Sequence, residues 1–297
     1  MRHGFAKAYA KLNLTLDVLG RREDGYHDLE MVMQSVSLYD SVSVRIGTGD
    51  GITTVSNVRH IPNDERNIAC KAAKAFLAAT GIDCGGIHIA MEKRIPSSAG
   101  MAGGSADGAA VLRLLSNLTG ANLTDGELCE IGITVGADIP FCLMGGTALA
   151  CAKGEELRDL RLIPECFFVI GKPKRGMSTK VVFEKIDSEP ILHHPDTAAM
   201  LRAIEGSSLL GIASEVYNVF EAPVSSEVPE VSDIKSVLLE KGAITAAMTG
   251  SGSSVFGIFD NLRDAEVAKA TLSGKYSDVF IASPVSSEDV KKVIICE

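Results

Sequence analysis

The run Ile95-Pro-Ser-Ser-Ala-Gly-Met-Ala-Gly-Gly-Ser-Ala-Asp-Gly-Ala-Ala110 constrains this chain more than any other. Gly100, Gly103 and Gly104 stand with Ser97, Ser98 and Ser105 in a short loop. An apolar segment at 86–91 precedes the loop and reads as a strand; another at 109–118 follows it and reads as a helix. Glycine lets backbone N–H groups approach a ligand because no Cβ intervenes. A helix start adds unpaired donors and the positive end of a dipole. Together these predict an anion site, most often one for phosphate. The loop has neither the Gly-Lys-Ser/Thr ending of a Walker A motif nor the G-x-G-x-x-G spacing of dinucleotide folds. A plain turn that caps the helix through Ser105 or Asp107 is the alternative.

A phosphate loop needs a scaffold, and 297 residues with 46% hydrophobic and 23% charged side chains suffice for one large or two medium soluble domains. The net charge of −9 argues against nucleic acid or an anionic membrane as partner. A phosphorylated small molecule remains compatible, given local Lys or Arg. Seven cysteines, an odd number with no Cys-x-x-Cys, predict reduced thiols and neither disulfides nor a zinc site. No apolar run has signal-peptide or membrane-spanning character, so a cytoplasmic protein is expected.

Residues 5–20 alternate in polarity and read as a strand with one buried face. A turn at 21–27 follows, then strands at 29–38 and 41–46, and helices at 67–80 and 124–135. Thr124 and Glu127 predict a capping box. Strands are expected at 145–151 and 166–171, with the charged stretch 153–161 between them read as a turn. The domain boundary is placed there, giving domains 1–157 and 158–297. The second half predicts helices near 179–185, 197–205, 208–216, 231–241 and 264–272, and strands near 246–248, 254–259 and 279–284.

Four further tracts have chemical potential. Lys11 and Asn13 are two apart on the first strand and share a face, either lining a cleft or solvated. In Arg22–Leu29, Tyr26 and His27 follow a Gly25 turn; they can stack on a base or be incidental loop residues. Asp138, in Gly-Ala-Asp-Ile-Pro, sits among apolar residues and wants a partner such as Lys11, or its own backbone. Thr249-Gly-Ser-Gly-Ser-Ser254 offers more N–H donors or a tight connection.

The order of these tracts along the chain resembles the GHMP kinase superfamily. The resemblance spans roughly residues 6–259. It implies an α+β fold of two domains, the first like a ribosomal-protein fold and the second ferredoxin-like. It implies a cleft between them where ATP, with Mg²⁺, meets a small alcohol. ATP phosphates would lie on Pro96, Ser97, Ser98, Ala99, Gly100, Met101, Ala102, Gly103, Gly104 and Ser105, with Ser105 the candidate metal ligand. Lys11 and Asp138 match the catalytic pair, and Asn13 a substrate contact. The Asp24–Leu29 tract separates the chain from homoserine, mevalonate and galactose kinases. It points to a cytidyl-bearing alcohol held by Tyr26, His27, Thr179 and Phe183. Neither nucleic acid nor membrane is an implied partner, and a monomer or weak homodimer is expected. One departure stands out: Ala102 replaces a loop glycine, so its φ must be one a Cβ tolerates.

Overall fold

A computed structural model describes residues 2–188 and 190–296. Its first half is dominated by a hairpin of two 20-residue strands, β1 (Arg2–Arg21) and β2 (His27–Ile46). The alternation expected over 5–20 is therefore real but longer, and the two strands expected at 29–38 and 41–46 are one. Their join is a register shift between Tyr9 and Ala10, which lets β2 run past Tyr39 and Asp40 without a break. β3 (Ile52–Ser56), β4 (Ile87–Glu92), β5 (Thr147–Cys151) and β6 (Glu156–Leu160) complete this half of the sheet.

The turn read over 153–161 holds at 153–155, and strand β6 corrects it at 156–160. Its charges lie on the open side of an edge strand, while Leu157 and Leu160 pack inward. The expected boundary at 157 falls within it. The second sheet holds β7 (Phe167–Lys172), β9 (Thr245–Met248), β10 (Val255–Phe259) and β11 (Asp278–Ala282) in the order β11-β7-β10-β9, all antiparallel. That order, with helices between, is the ferredoxin-like arrangement. Two segments return to the first sheet: the two-residue β8 (Tyr217–Asn218), and β12 (Val293–Cys296), which pairs with the start of β1.

Helices α1 (Ile68–Thr80) and α2 (Gly103–Thr119) pack on the first sheet through Phe76, Val111, Leu114 and Leu115. Asn67 caps α1 by accepting from the N–H of Ala69 at 2.8 Å. Helix α2 begins at Gly103, earlier than the expected 109; the glycines that look like loop are its first turn. They are needed there, because a Cβ on Gly104 would meet Ile68 Cδ1 at 2.9 Å. Helix α3 (Asp125–Ile133) carries the predicted capping box on Thr124. A short α4 (Ile139–Met144) follows where only a break was expected; Pro140 fits its first turn. Helix α5 (Thr179–Ser188) lies beyond β7. A third cluster, with Leu12, Val36, Met101, Phe168 and Phe256, joins the two sheets beneath the glycine loop.

Candidate functional site

The glycine loop is held from below by buried charge. Lys93, at the end of β4, pairs with Asp40 and Asp107, and its Nζ also donates to the Gly103 carbonyl at 3.3 Å. Asp40 in turn accepts from the backbone N–H of Arg94 and, at 2.8 Å, of Ile95. Burial raises the Asp107 carboxyl to about 7, against the pull of Lys93. Two carboxylates share one ammonium here, so one of them favours its proton. Asp107 Oδ1 has no partner among the described residues. Neither Ser105 nor Asp107 caps α2. The cap position is Ala102, with φ 56° and ψ 28° and no side-chain bond. This is the left-handed region that favours glycine, so the expectation of an easy φ fails and Ala102 carries a strain of about 1–2 kcal/mol.

With no side-chain cap, the N–H groups of Gly103, Gly104 and Ser105 are the helix's unpaired donors. They border a cavity of about 370 Å³ lined by Pro96–Ser105 with Ile61, Arg66, Asn67 and Ile68. All ten loop residues named from the sequence line it. Arg66 and the N-terminus of α1 on the opposite wall were not signalled by any sequence motif.

The second glycine loop packs on the first, backbone to backbone. Gly100 has φ +72°, and a Cβ there would lie 2.2 Å from the Thr249 carbonyl oxygen. Gly250 has φ +58°, with its Cβ position 2.6 Å from the Gly100 oxygen. Asn218 Nδ2 fastens this second loop, donating to the carbonyls of Met248 at 2.8 Å and Gly250 at 2.9 Å. Of the two alternatives for the tract, close connection is what the structure shows.

On the other side of the loop is a cavity of about 440 Å³, lined by Lys11, Asp138, Ser98, Gly100, Ala102 and Gly250–Gly252. Lys11 is 5% exposed, and its N–H donates to the Met101 carbonyl at 3.2 Å, fixing β1 to the loop. Its ammonium donates to Asn13 Oδ1 at 2.5 Å and makes no ion pair with Asp138. The direct pair expected from the sequence is thus absent, and the two groups share a cavity wall instead. Both sit near Cys142, whose thiol is pushed up by burial and by Asp138, with Lys11 opposing. Asn13 is 1% exposed and lies behind this wall, its backbone N–H donating to Thr249 Oγ1 at 2.9 Å. Asp138 stands at the start of α4, brought there by the Gly136 turn that ends α3.

A third cavity of about 890 Å³ contains Tyr26, His27, Thr179 and Phe183, so the structure assembles the four residues named for a base. His27 stacks on Phe183 with centroids 4.6 Å apart and planes at 22°, and its Nε2 lies 2.7 Å from Asp187 Oδ1. Phe183 also meets Phe220 edge-on at 4.9 Å. Tyr26 is 62% exposed, with the Lys153 ammonium 4.4 Å from its ring centre. Thr179 Oγ1 is 2.9 Å from Ser251 Oγ, tying α5 to the second glycine loop. Lys153 was missed, having been read as part of a charged turn.

Among the described residues, no group of three or more His, Cys, Asp or Glu side chains could hold a metal. Ser105 lines the loop cavity and can reach an ion bound there. No described helix is long and apolar enough to cross a membrane.

Residues 67–146 match the GHMP kinases N terminal domain and residues 192–278 the GHMP kinases C terminal domain. The chain is 43% identical over 279 residues to the 4-diphosphocytidyl-2-C-methyl-D-erythritol kinase of Clostridium acetobutylicum, covering 94% of this chain and 99% of the relative. The Clostridium tetani protein of the same name shows the same identity and coverage. A crystal structure of 4-(cytidine 5'-diphospho)-2C-methyl-D-erythritol kinase superposes with a TM-score of 0.81 at 32% identity, over 94% of this chain and 98% of that one. A homoserine kinase from Cytophaga hutchinsonii, at 17% identity and a TM-score of 0.71 over 100% of this chain and 94% of that one, shares the fold.

Proposed function

This chain belongs to the 4-diphosphocytidyl-2-C-methyl-D-erythritol kinases, within the GHMP kinases, and we propose that it performs the reaction their name describes. It is a small-molecule kinase that uses ATP. It transfers the γ-phosphoryl group to the 2-hydroxyl of 4-diphosphocytidyl-2-C-methyl-D-erythritol, a step of non-mevalonate isoprenoid precursor synthesis.

One observation carries this reading: the three cavities adjoin in series, each sharing wall residues with the next. The loop cavity shares Ser98, Gly100 and Ala102 with the central one, which shares Leu29, Lys153, Thr179 and Phe183 with the outer one. A phosphate donor, an acceptor hydroxyl and a base fit in sequence along that line.

Phosphoryl transfer needs alignment and neutralisation of spread negative charge more than covalent help. The N–H groups of Gly103, Gly104 and Ser105 take the donor phosphates. Ser105, on the wall of the loop cavity, would hold a Mg²⁺ brought with ATP, which would add further charge neutralisation. Asp138 accepts the hydroxyl proton as general base. Lys11, lining the central cavity with it, places a positive charge where the attacking and transferred oxygens meet. Asn13, matched to a substrate contact, holds the Lys11 ammonium through its Oδ1. The base lies with Tyr26, His27, Thr179 and Phe183. The two domains divide after β6, at about residue 161 and not at 157, with β12 belonging to the first.

The test is ADP release from Mg·ATP with the cytidyl alcohol, beside homoserine and mevalonate. Release with the cytidyl alcohol alone is expected. Release with another alcohol alone would remove the substrate assignment. No release from folded, ATP-binding protein would favour a silent relative.

A further inference from the structure

We infer that Asp187 is a positioning residue that sets how His27 reads the base; the inference rests on the proposed reaction. Phe183 and Asp187 are one turn apart on α5 and so share a face. Both grip the same imidazole. The Phe183 ring lies against its plane, and Asp187 Oδ1 stands 2.7 Å from its Nε2. The other carboxylate oxygen faces Arg21, whose Nη1 is 3.6 Å away. All four residues line the outer cavity. The imidazole is thus fixed in plane and in rotation, with the His27 side chain 8% exposed.

The carboxylate also fixes a proton. A neutral imidazole has one nitrogen that donates and one that accepts. A carboxylate only accepts, so Nε2 carries the hydrogen and Nδ1 keeps its lone pair. Among the described residues Nδ1 makes no hydrogen bond, which leaves it for a ligand. Cytosine carries an exocyclic amino group where uracil carries a carbonyl. An acceptor favours the first and opposes the second. Without Asp187 the proton can sit on either nitrogen, and the ring can then serve either base.

The experiment reads the tautomer and the discrimination separately, at about pH 8, above the ordinary imidazole value of about 6.5. Nitrogen NMR of histidine-labelled wild type, with the His27 signal identified by its loss in His27→Ala, should show Nε2 protonated and Nδ1 bare. A ring protonated at Nδ1, or at both nitrogens, would overturn the inference without any Asp187 variant having to fold. CDP and UDP are then titrated calorimetrically into enzyme saturated with ADP, so that the glycine loop is already filled. Asp187→Ala is expected to weaken CDP about tenfold and UDP less than about twofold. In a His27→Ala background the same change should alter neither by more than about twofold. Equal weakening of both ligands, unchanged discrimination, or a loss that persists without His27 would show that Asp187 does not act through the imidazole; each overturns the inference. Wild type that does not prefer CDP would sink the cytidyl reading itself, and the inference with it.

Discussion

The glycine-loop cavity and the outer cavity are built in opposite ways. The first is made of backbone: helix-terminal N–H groups, two glycine loops in contact, and a buried Lys93–Asp40–Asp107 cluster beneath. The second is made of side chains on an exposed turn and on α5, with Tyr26 mostly in solvent. A phosphate is the same in every nucleotide, so a fixed backbone cradle serves it. A base must be distinguished from other groups, and rings and charges on adjustable segments do that. The central cavity, with Lys11 and Asp138, is where the two constructions meet.

The strongest challenge to that picture is at the meeting point. Asp138→Asn should fold normally, because Asp138 makes no capping bond, and should lower kcat by about 10²–10⁴-fold. Wild-type turnover in the folded variant would remove Asp138 as base. Next comes the backbone cradle. Gly100→Ala places a Cβ against the Thr249 carbonyl at a φ of +72°, and should cost about 2–5 kcal/mol of stability while raising KM for ATP. Denaturant unfolding with initial-rate kinetics checks both. An unaffected variant would mean that the two loops are not held in contact.

The smallest effect on turnover is expected from the buried cluster. Asp107 keeps its proton up to about pH 7 in the folded protein, whereas the unfolded chain loses it near 4. Its contribution to stability is therefore full below about pH 4 and is lost as pH rises through 7. Asp107→Asn removes that slope and leaves Lys93 paired with Asp40. Unfolding free energies measured across pH 4–8 should shift in favour of the variant as pH rises. A constant difference would contradict the raised carboxyl.

The same contrast decides what the sequence made legible. The cradle is contiguous, so a run of sixteen residues announced it, and the strand, loop and helix follow in order. Even so, α2 began earlier than its apolar residues suggested, because glycine is read as loop although close packing on Ile68 and Ile95 needs it in the helix. The outer cavity joins residues 26 and 27 to 179 and 183; the local pattern offered Tyr26 and His27 as one of two readings, and only the family resemblance added Thr179 and Phe183. Strand β6 was invisible for another reason. A charged stretch at 153–161 looks like a surface turn throughout, whereas 152–155 are the turn and 156–160 pair with β5. That the Lys11 ammonium is bonded to Asn13 and makes no ion pair with Asp138 was equally hidden, since it depends on side-chain placement and not on spacing.

The division of labour is tested most directly by measuring KM for ATP and for the cytidyl alcohol in wild type and in Phe183→Ala. Losing the ring that stacks on His27 should raise KM for the cytidyl alcohol about tenfold or more and leave KM for ATP within about twofold. Equal rises in both, in a variant that stays folded, would mean that the two cavities do not serve separate ligands.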